Sequence, residues 1–200
     1  MLNLNTPIEF TQEEQNTIHT IMNAKQGGIA RWNDNRARSI KHRISVHCLE
    51  EQRCRCAYCE SLLTKGGVQI EHISSKSITP DFVFEPDNLV VSCSCCNSPA
   101  IKGDKPTVEG NVDPLYSNNS FCIVHPRLDN PDEHIKYQDS DRTLLDISRC
   151  SDKGRNTIAL FHWDELSAFY TRAANAIIRR NLSVDLTALI IEISTYPSTL

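Results

Sequence analysis

The chain has 200 residues, 21 Lys+Arg against 25 Asp+Glu, and a formal charge of −4. That balance excludes a protein that coats nucleic acid by bulk positive charge, and the length fits one domain or a small core with helical additions. No apolar run is long enough to span a bilayer, and Met1-Leu2-Asn3-Leu4 lacks the basic start and apolar core of a signal peptide. The nine cysteines are therefore expected in a reducing, cytoplasmic setting, where disulfides are disfavoured.

In chain order, Thr11-Gln12-Glu13-Glu14 has the form of a capping box. It predicts a helix with Ile18, Ile21 and Met22 as its apolar stripe, ended by Gln26-Gly27-Gly28. A second helix is predicted from Asn33 or Asp34 to Gln52, with Ala37, Ile40, Ile44 and Cys48 recurring on its core face. Around its first half stand Arg31, Arg36, Arg38, Lys41 and Arg43 against one acid, Asp34. This is the densest basic patch, and it reads as a phosphate-backbone contact or, about equally, as a solvated helix face. Trp32 beside it suits stacking on a base or, more simply, packing of the helix start.

Lys65-Gly66-Gly67 reads as a hairpin turn leading into a strand, in which Val68, Ile70 and His72 alternate with Gln69 and Glu71. A long loop with Pro80 and Pro86 separates it from a second strand at Leu89-Val90-Val91. A short helix is expected after Cys96, stopped near Lys102-Gly103. Irregular chain follows, through Asp113-Pro114 and then His125-Pro126-Arg127-Leu128-Asp129-Asn130-Pro131-Asp132-Glu133-His134-Ile135. From Leu160 a helix is expected, with Trp163, Leu166, Tyr170, Ala173 and Ile177 as one stripe. A last helix after Ser183 carries Leu186, Leu189, Ile190 and Ile193 and is apolar on more than one face, as buried or partner-facing helices are. Neither repeats nor a flexible linker interrupt the chain.

Two Cys-x-x-Cys pairs, Cys56 with Cys59 and Cys93 with Cys96, bracket the strand region. Such turns aim paired thiolates at one tetrahedral ion, and two of them complete a closed four-cysteine zinc site. Disulfides, a redox pair and plain buried cysteines are the competing readings. Cys95 sits between two of the ligands, while Cys48, Cys54, Cys122 and Cys150 have no regular partner spacing.

Cys-x-x-Cys, then Glu71-His72, then Asn88, then Cys-x-x-Cys-Asn97 resembles the HNH endonuclease family, over about a quarter of the chain. The resemblance implies a ββα-metal core and a role for each matching residue. His72 is the general base that activates water, Glu71 and Asn97 hold a divalent cation (Mg2+ or Mn2+), and Asn88 braces the loop that aims His72. Asn97 stands where many members have His, and Pro99 places it at the start of the expected helix. Lys102 joins Arg36, Arg38, Lys41 and Arg43 as a candidate nucleic-acid contact. The Pro-Arg-x-Asp-x-Pro-x-Glu-His-Ile stretch is similar to a narrower group, the PtuB-like nucleases of Septu and retron antiphage systems, encoded beside an ATPase. His125 and His134 within it read as structural in the first place, and as substrate or metal contacts in the second.

The expectation is an α+β protein: a helical region over 1–53, a nuclease core with a zinc knuckle over 54–115, and an irregular segment with helices over 116–200. The expected function is metal-dependent hydrolysis of phosphodiester bonds, DNA before RNA, with a PtuA-like ATPase docked on the last helix and no membrane association. The rivals are a zinc-knuckle module that binds nucleic acid without cutting, and a stand-alone restriction-type nuclease.

Overall fold

The structure is a computed structural model that describes residues 1–110, 116–181 and 186–195; Asp113-Pro114 and Ser183 lie outside them. Helix α1 (Gln12–Ala24) begins where Thr11 Oγ1 accepts the Glu14 N–H at 3.3 Å and the Glu14 carboxylate accepts the Thr11 N–H at 2.8 Å. Both halves of the capping box are thus made. Gly28 opens a further short helix, α2 (Gly28–Trp32), after Gly27 turns the chain at φ +79°. A 3-10 turn (Asn35–Ala37), capped by the Asp34 side chain, leads into α3 (Arg38–Glu51), whose Ile40, Ile44 and Cys48 are buried.

Strands β1 (Val68–His72) and β2 (Leu89–Cys93) pair antiparallel, with Val68 opposite Cys93 and His72 opposite Leu89. A lone two-stranded ribbon is marginal in water and needs cover. Helix α3 packs on both strands. Gln52, at its end, donates Nε2–H to the Val91 carbonyl and accepts the Val91 N–H at Oε1, both at 2.8 Å. The side-chain amide thereby pairs with the outer edge of β2 as a third strand would. The Ala57 N–H adds a bond to the same carbonyl at 3.1 Å.

Two local expectations are corrected here. Thr64 to Gly67 does form a tight turn, the Gly67 N–H reaching Thr64 O at 3.0 Å, but it joins no hairpin, because β1 pairs only with β2. The chain before it closes on itself instead, with Leu63 N–H on Cys54 O at 2.7 Å. The helix expected after Cys96 is replaced by successive turns. Pro99 supplies no N–H, and Ser98 before it is biased away from helical backbone. The turns pack tightly: a Cβ on Gly103, at φ +44°, would come within 2.8 Å of Pro99 Cα.

Beyond residue 116 the irregular segment is tied down by Arg127, whose guanidinium pairs with both Glu51 oxygens (2.9 and 2.7 Å) and with Leu89 O at 3.2 Å. Helices α4 (Pro131–His134), α5 (Asp152–Leu160), α6 (Leu166–Asn181) and α7 (Leu186–Ser194) follow. The main core draws on residues from both ends of the described chain, Ile21 and Ile44 belonging to one cluster with Leu89, Val124, Ile158 and Trp163.

The two last helices divide their apolar residues differently from expectation. On α7, Leu186, Leu189 and Ile190 pack on the core and Ile193 is buried, which leaves Ile191 facing outward. The residues named as a docking surface therefore complete the protein's own core. On α6 the expected core stripe is mostly outside: Leu166, Tyr170 and Ile177 are more than 60% exposed. Ala168, Asn175 and Ala176 face inward instead, because small side chains let the helix approach closely.

Candidate metal centre and active site

The knuckle forms as the spacing requires. One sulfur from each of Cys56, Cys59, Cys93 and Cys96 lies within 4.8 Å of the other three, and Cys59 Sγ is 3.8 Å from Cys93 Sγ. On a regular tetrahedron with Zn–S bonds of about 2.3 Å, ligand sulfurs stand about 3.8 Å apart, so the donor set fits zinc. All nine cysteines are free thiols, which sets aside the disulfide reading. Within the cluster the thiols share their protons unequally: hydrogen bonds hold Cys59 and Cys93 below the ordinary thiol range, burial pushes Cys56 up, and hydrogen bonds to the other three raise Cys96. Cys95 is exposed and outside the cluster, whereas Cys48, Cys54 and Cys150 are buried.

The end of β1 opens into a cleft of about 560 Å³ lined by Glu71, His72, Ser75, Lys76, Asn97 and Asp104 among others. His72 is buried, edge-on to Trp32 at 4.5 Å between ring centroids. Its Nε2 lies 3.0 Å from Val83 O, a carbonyl, so Nε2 must carry the proton and Nδ1 keeps the lone pair. Burial lowers its pKa to about 3, with the charge of Lys76 adding to the effect. Trp32 therefore packs against this histidine, and base stacking is not open to its buried ring.

Glu71 and Lys102 form a buried ion pair. The Lys102 amine also donates to His72 O at 2.9 Å and lies fully inside, so it is out of reach of a polymer on the surface. Burial holds the Glu71 carboxyl above its usual range, while Lys102 pulls it back. Asn97 donates Nδ2–H to Gln69 Oε1 at 2.9 Å, which leaves its Oδ1 outside that bond. A carboxylate and an amide oxygen on one cleft are hard donors of the kind Mg2+ or Mn2+ accepts. Replacing Lys102 by Met strands the Glu71 charge in the interior and is expected to cost about 3–5 kcal/mol in urea denaturation. Glu71→Gln in the same chain is expected to recover part of that loss.

Asn88 is fully buried with both ends of its amide engaged. Oδ1 accepts from Ser74 N at 2.7 Å and from the Tyr116 hydroxyl at 2.6 Å; Nδ2 donates to Ser74 O at 3.1 Å and Phe82 O at 2.9 Å. It thus clasps both ends of the loop whose Val83 carbonyl orients His72. His125 backs this clasp: its Nδ1 accepts two backbone N–H bonds at 3.1 Å and its Nε2 lies 3.4 Å from the Tyr116 hydroxyl. His134 meets Ser151 Oγ at 2.8 Å. Both histidines are thus engaged by the protein's own groups.

The basic patch is largely neutralised. Arg36 is doubly bonded to Asp34 at 2.8 Å, Arg43 is paired with Glu14, Arg31 is on Asp81, and Lys41 is buried over the Trp32 ring. Arg38 is exposed and makes no salt bridge among the described residues. Sequence reasoning missed Tyr116, Arg127 and Lys76. The first two act through partners far along the chain, and Lys76 sits in a polar turn with no distinguishing pattern.

A small sheet carrying an acid–histidine pair into a cleft, beside a four-cysteine cluster and enclosed by helices, defines an α+β protein with a zinc-type knuckle. No family model matches the chain. The chain is similar to the Septu protein PtuB of Bacillus thuringiensis, 27% identical over 164 residues, which cover 81% of this chain and 53% of that protein. It spans about half the length of that relative. No described helix is long and apolar enough to cross a membrane.

Proposed function

We propose that the chain is a metal-dependent, HNH-type endonuclease that hydrolyses phosphodiester bonds in nucleic acid, DNA first, as the nuclease of an antiphage system with an ATPase partner. The observation that carries this reading is His72. It is fixed by a carbonyl at Nε2, keeps the Nδ1 lone pair, and lines the same cleft as Glu71 and Asn97. Nδ1 takes the proton of a water attacking phosphorus. The ring is neutral at pH 7, and a phosphate bound beside it raises its proton affinity where the proton is to be taken. Asn88 and Val83 hold the ring so that it spends no motion finding that geometry. Glu71 and Asn97 would hold the cation, whose charge offsets the one growing on the phosphate and leaving oxygen. The defence role and the partner rest on the likeness to the Septu protein, and the cytoplasmic setting on the nine free thiols.

The Glu71–Lys102 pair favours a second reading, a zinc-knuckle protein that holds nucleic acid without cutting it, since an ammonium already satisfies the carboxylate. Incubating the purified chain, with and without its co-expressed ATPase neighbour, with plasmid DNA and labelled RNA decides between them. Cleavage that needs Mg2+ or Mn2+ and stops with EDTA is expected. Binding without cleavage under every condition overturns the nuclease.

A further inference from the structure

The cleft beside His72 has an electrostatic problem. Glu71 and Asp104 both line it; Lys102 offsets the first, so an approaching phosphate meets the exposed carboxylate of Asp104. Two lysines there are held by the protein: Lys102 is buried on Glu71, and Lys105, which keeps its charge, is tethered to Ala100 O at 2.8 Å. Asp104 is itself held by Ser75, whose hydroxyl donates to it at 2.6 Å. Lys76 is different. Its side chain is half-exposed, lines the cleft, and makes no salt bridge among the described residues.

The backbone at Lys76 is held in place from several directions. The start of α2 presses on it: a Cβ on Gly28 would fall 2.0 Å from Lys76 O and 2.8 Å from its carbonyl carbon, so only glycine fits there. Arg31, also on α2, fastens the far end of the same loop through Pro80 O at 2.8 Å. On the near side Ser75 Oγ bonds Ser77 Oγ at 2.8 Å, and Thr79 Oγ1 donates to Ser74 Oγ at 2.8 Å. A loop so constrained, ending in a free ammonium at the mouth of the cleft, has the build of an anion contact. The charge of Lys76 also acts on Glu71, His72 and Asp104 together, which places it within electrostatic range of all three.

We propose that Lys76 is the phosphate-binding cation of this cleft, holding a non-bridging oxygen of the nucleic-acid phosphate that faces His72. The proposal rests on the reading that the cleft takes nucleic acid, and it names the contact that the neutralised patch on α3 does not provide. The ammonium meets the phosphate at the reacting group, so it offsets charge where the chemistry occurs. The glycine at position 28 sets where that ammonium stands.

The test is anisotropy of a short fluorescein-labelled DNA duplex against a His72→Ala background, which slows cleavage, in EDTA and over a series of salt concentrations. Lys76→Gln is expected to weaken binding about three- to tenfold at low salt and to lower the slope of log K against log salt by about 0.9, one phosphate contact. Lys76→Arg is expected to restore both, and Lys136→Gln, outside the cleft, to change neither. Equal affinity and slope in the Lys76→Gln and parent proteins overturn the proposal, as does a parent that shows no salt-dependent binding. Cleavage by the His72-intact chain is measured separately. If it fails while Lys76-dependent binding stands, the nuclease reading falls and this contact survives; full cleavage by Lys76→Gln with parental binding does the reverse.

Discussion

Cys56→Ser or Cys96→Ser is expected to leave an insoluble or unfolded chain, and elemental analysis of the parent to find one zinc per molecule. Structural zinc contributes an apparent binding free energy of about 10–16 kcal/mol in small metal domains, as large as the whole stability of a typical domain, about 5–15 kcal/mol. Here the knuckle joins the segment before β1 to the end of β2. Cys56 and Cys96 are both buried in the main core, and Tyr58 between the first two ligands packs, tilted, on Phe161 at 4.4 Å between centroids. Losing one thiolate therefore opens the sheet and the packing of the helical C-terminal part at once. Far-UV circular dichroism after removal of zinc with a strong chelator should report the same collapse. A well-folded chain containing no zinc would contradict the assignment.

The largest effect on activity is expected at His72. His72→Ala should reduce cleavage by about 10²–10⁴, the usual contribution of a general base. The substitution also orphans the Val83 carbonyl, at about 1–3 kcal/mol, so the variant's melting temperature has to be measured alongside its rate. The histidine carries a second signature. Its folded pKa is about 3, against an ordinary 6.5. Between those values the unfolded chain binds the extra proton, so stability is full above pH 6.5 and falls as pH drops toward 3, on the order of 1 kcal/mol per pH unit. The His72→Ala protein should show a flatter acid limb of melting temperature against pH. Normal cleavage by that variant would end the proposed mechanism.

What was legible from the residues was what depends on near neighbours. The Thr11–Glu14 box is a three-residue contact, the cysteine pairs need only a turn, and the strand through His72 needs only its period, although its in–out alternation ends at Glu71, which is buried like His72. Those features hold in almost any context, which is why their sequence spacing suffices. The roles of charged and apolar side chains were decided by tertiary structure. Lys102 looks like any loop lysine until the turns after Cys96 bring it under β1 and Glu71. Arg36 and Arg43 read as a phosphate patch until Asp34 curls back and Glu14 arrives from α1. The α6 stripe has perfect helical spacing, yet spacing says only that residues share a face. The small residues on the opposite side let that other face sit closest to the core. The same holds for Asn88, whose four bonds need Ser74, Phe82 and Tyr116 brought together. Local backbone preference is written within a few residues, whereas burial and ion pairing depend on distances that only the assembled fold sets.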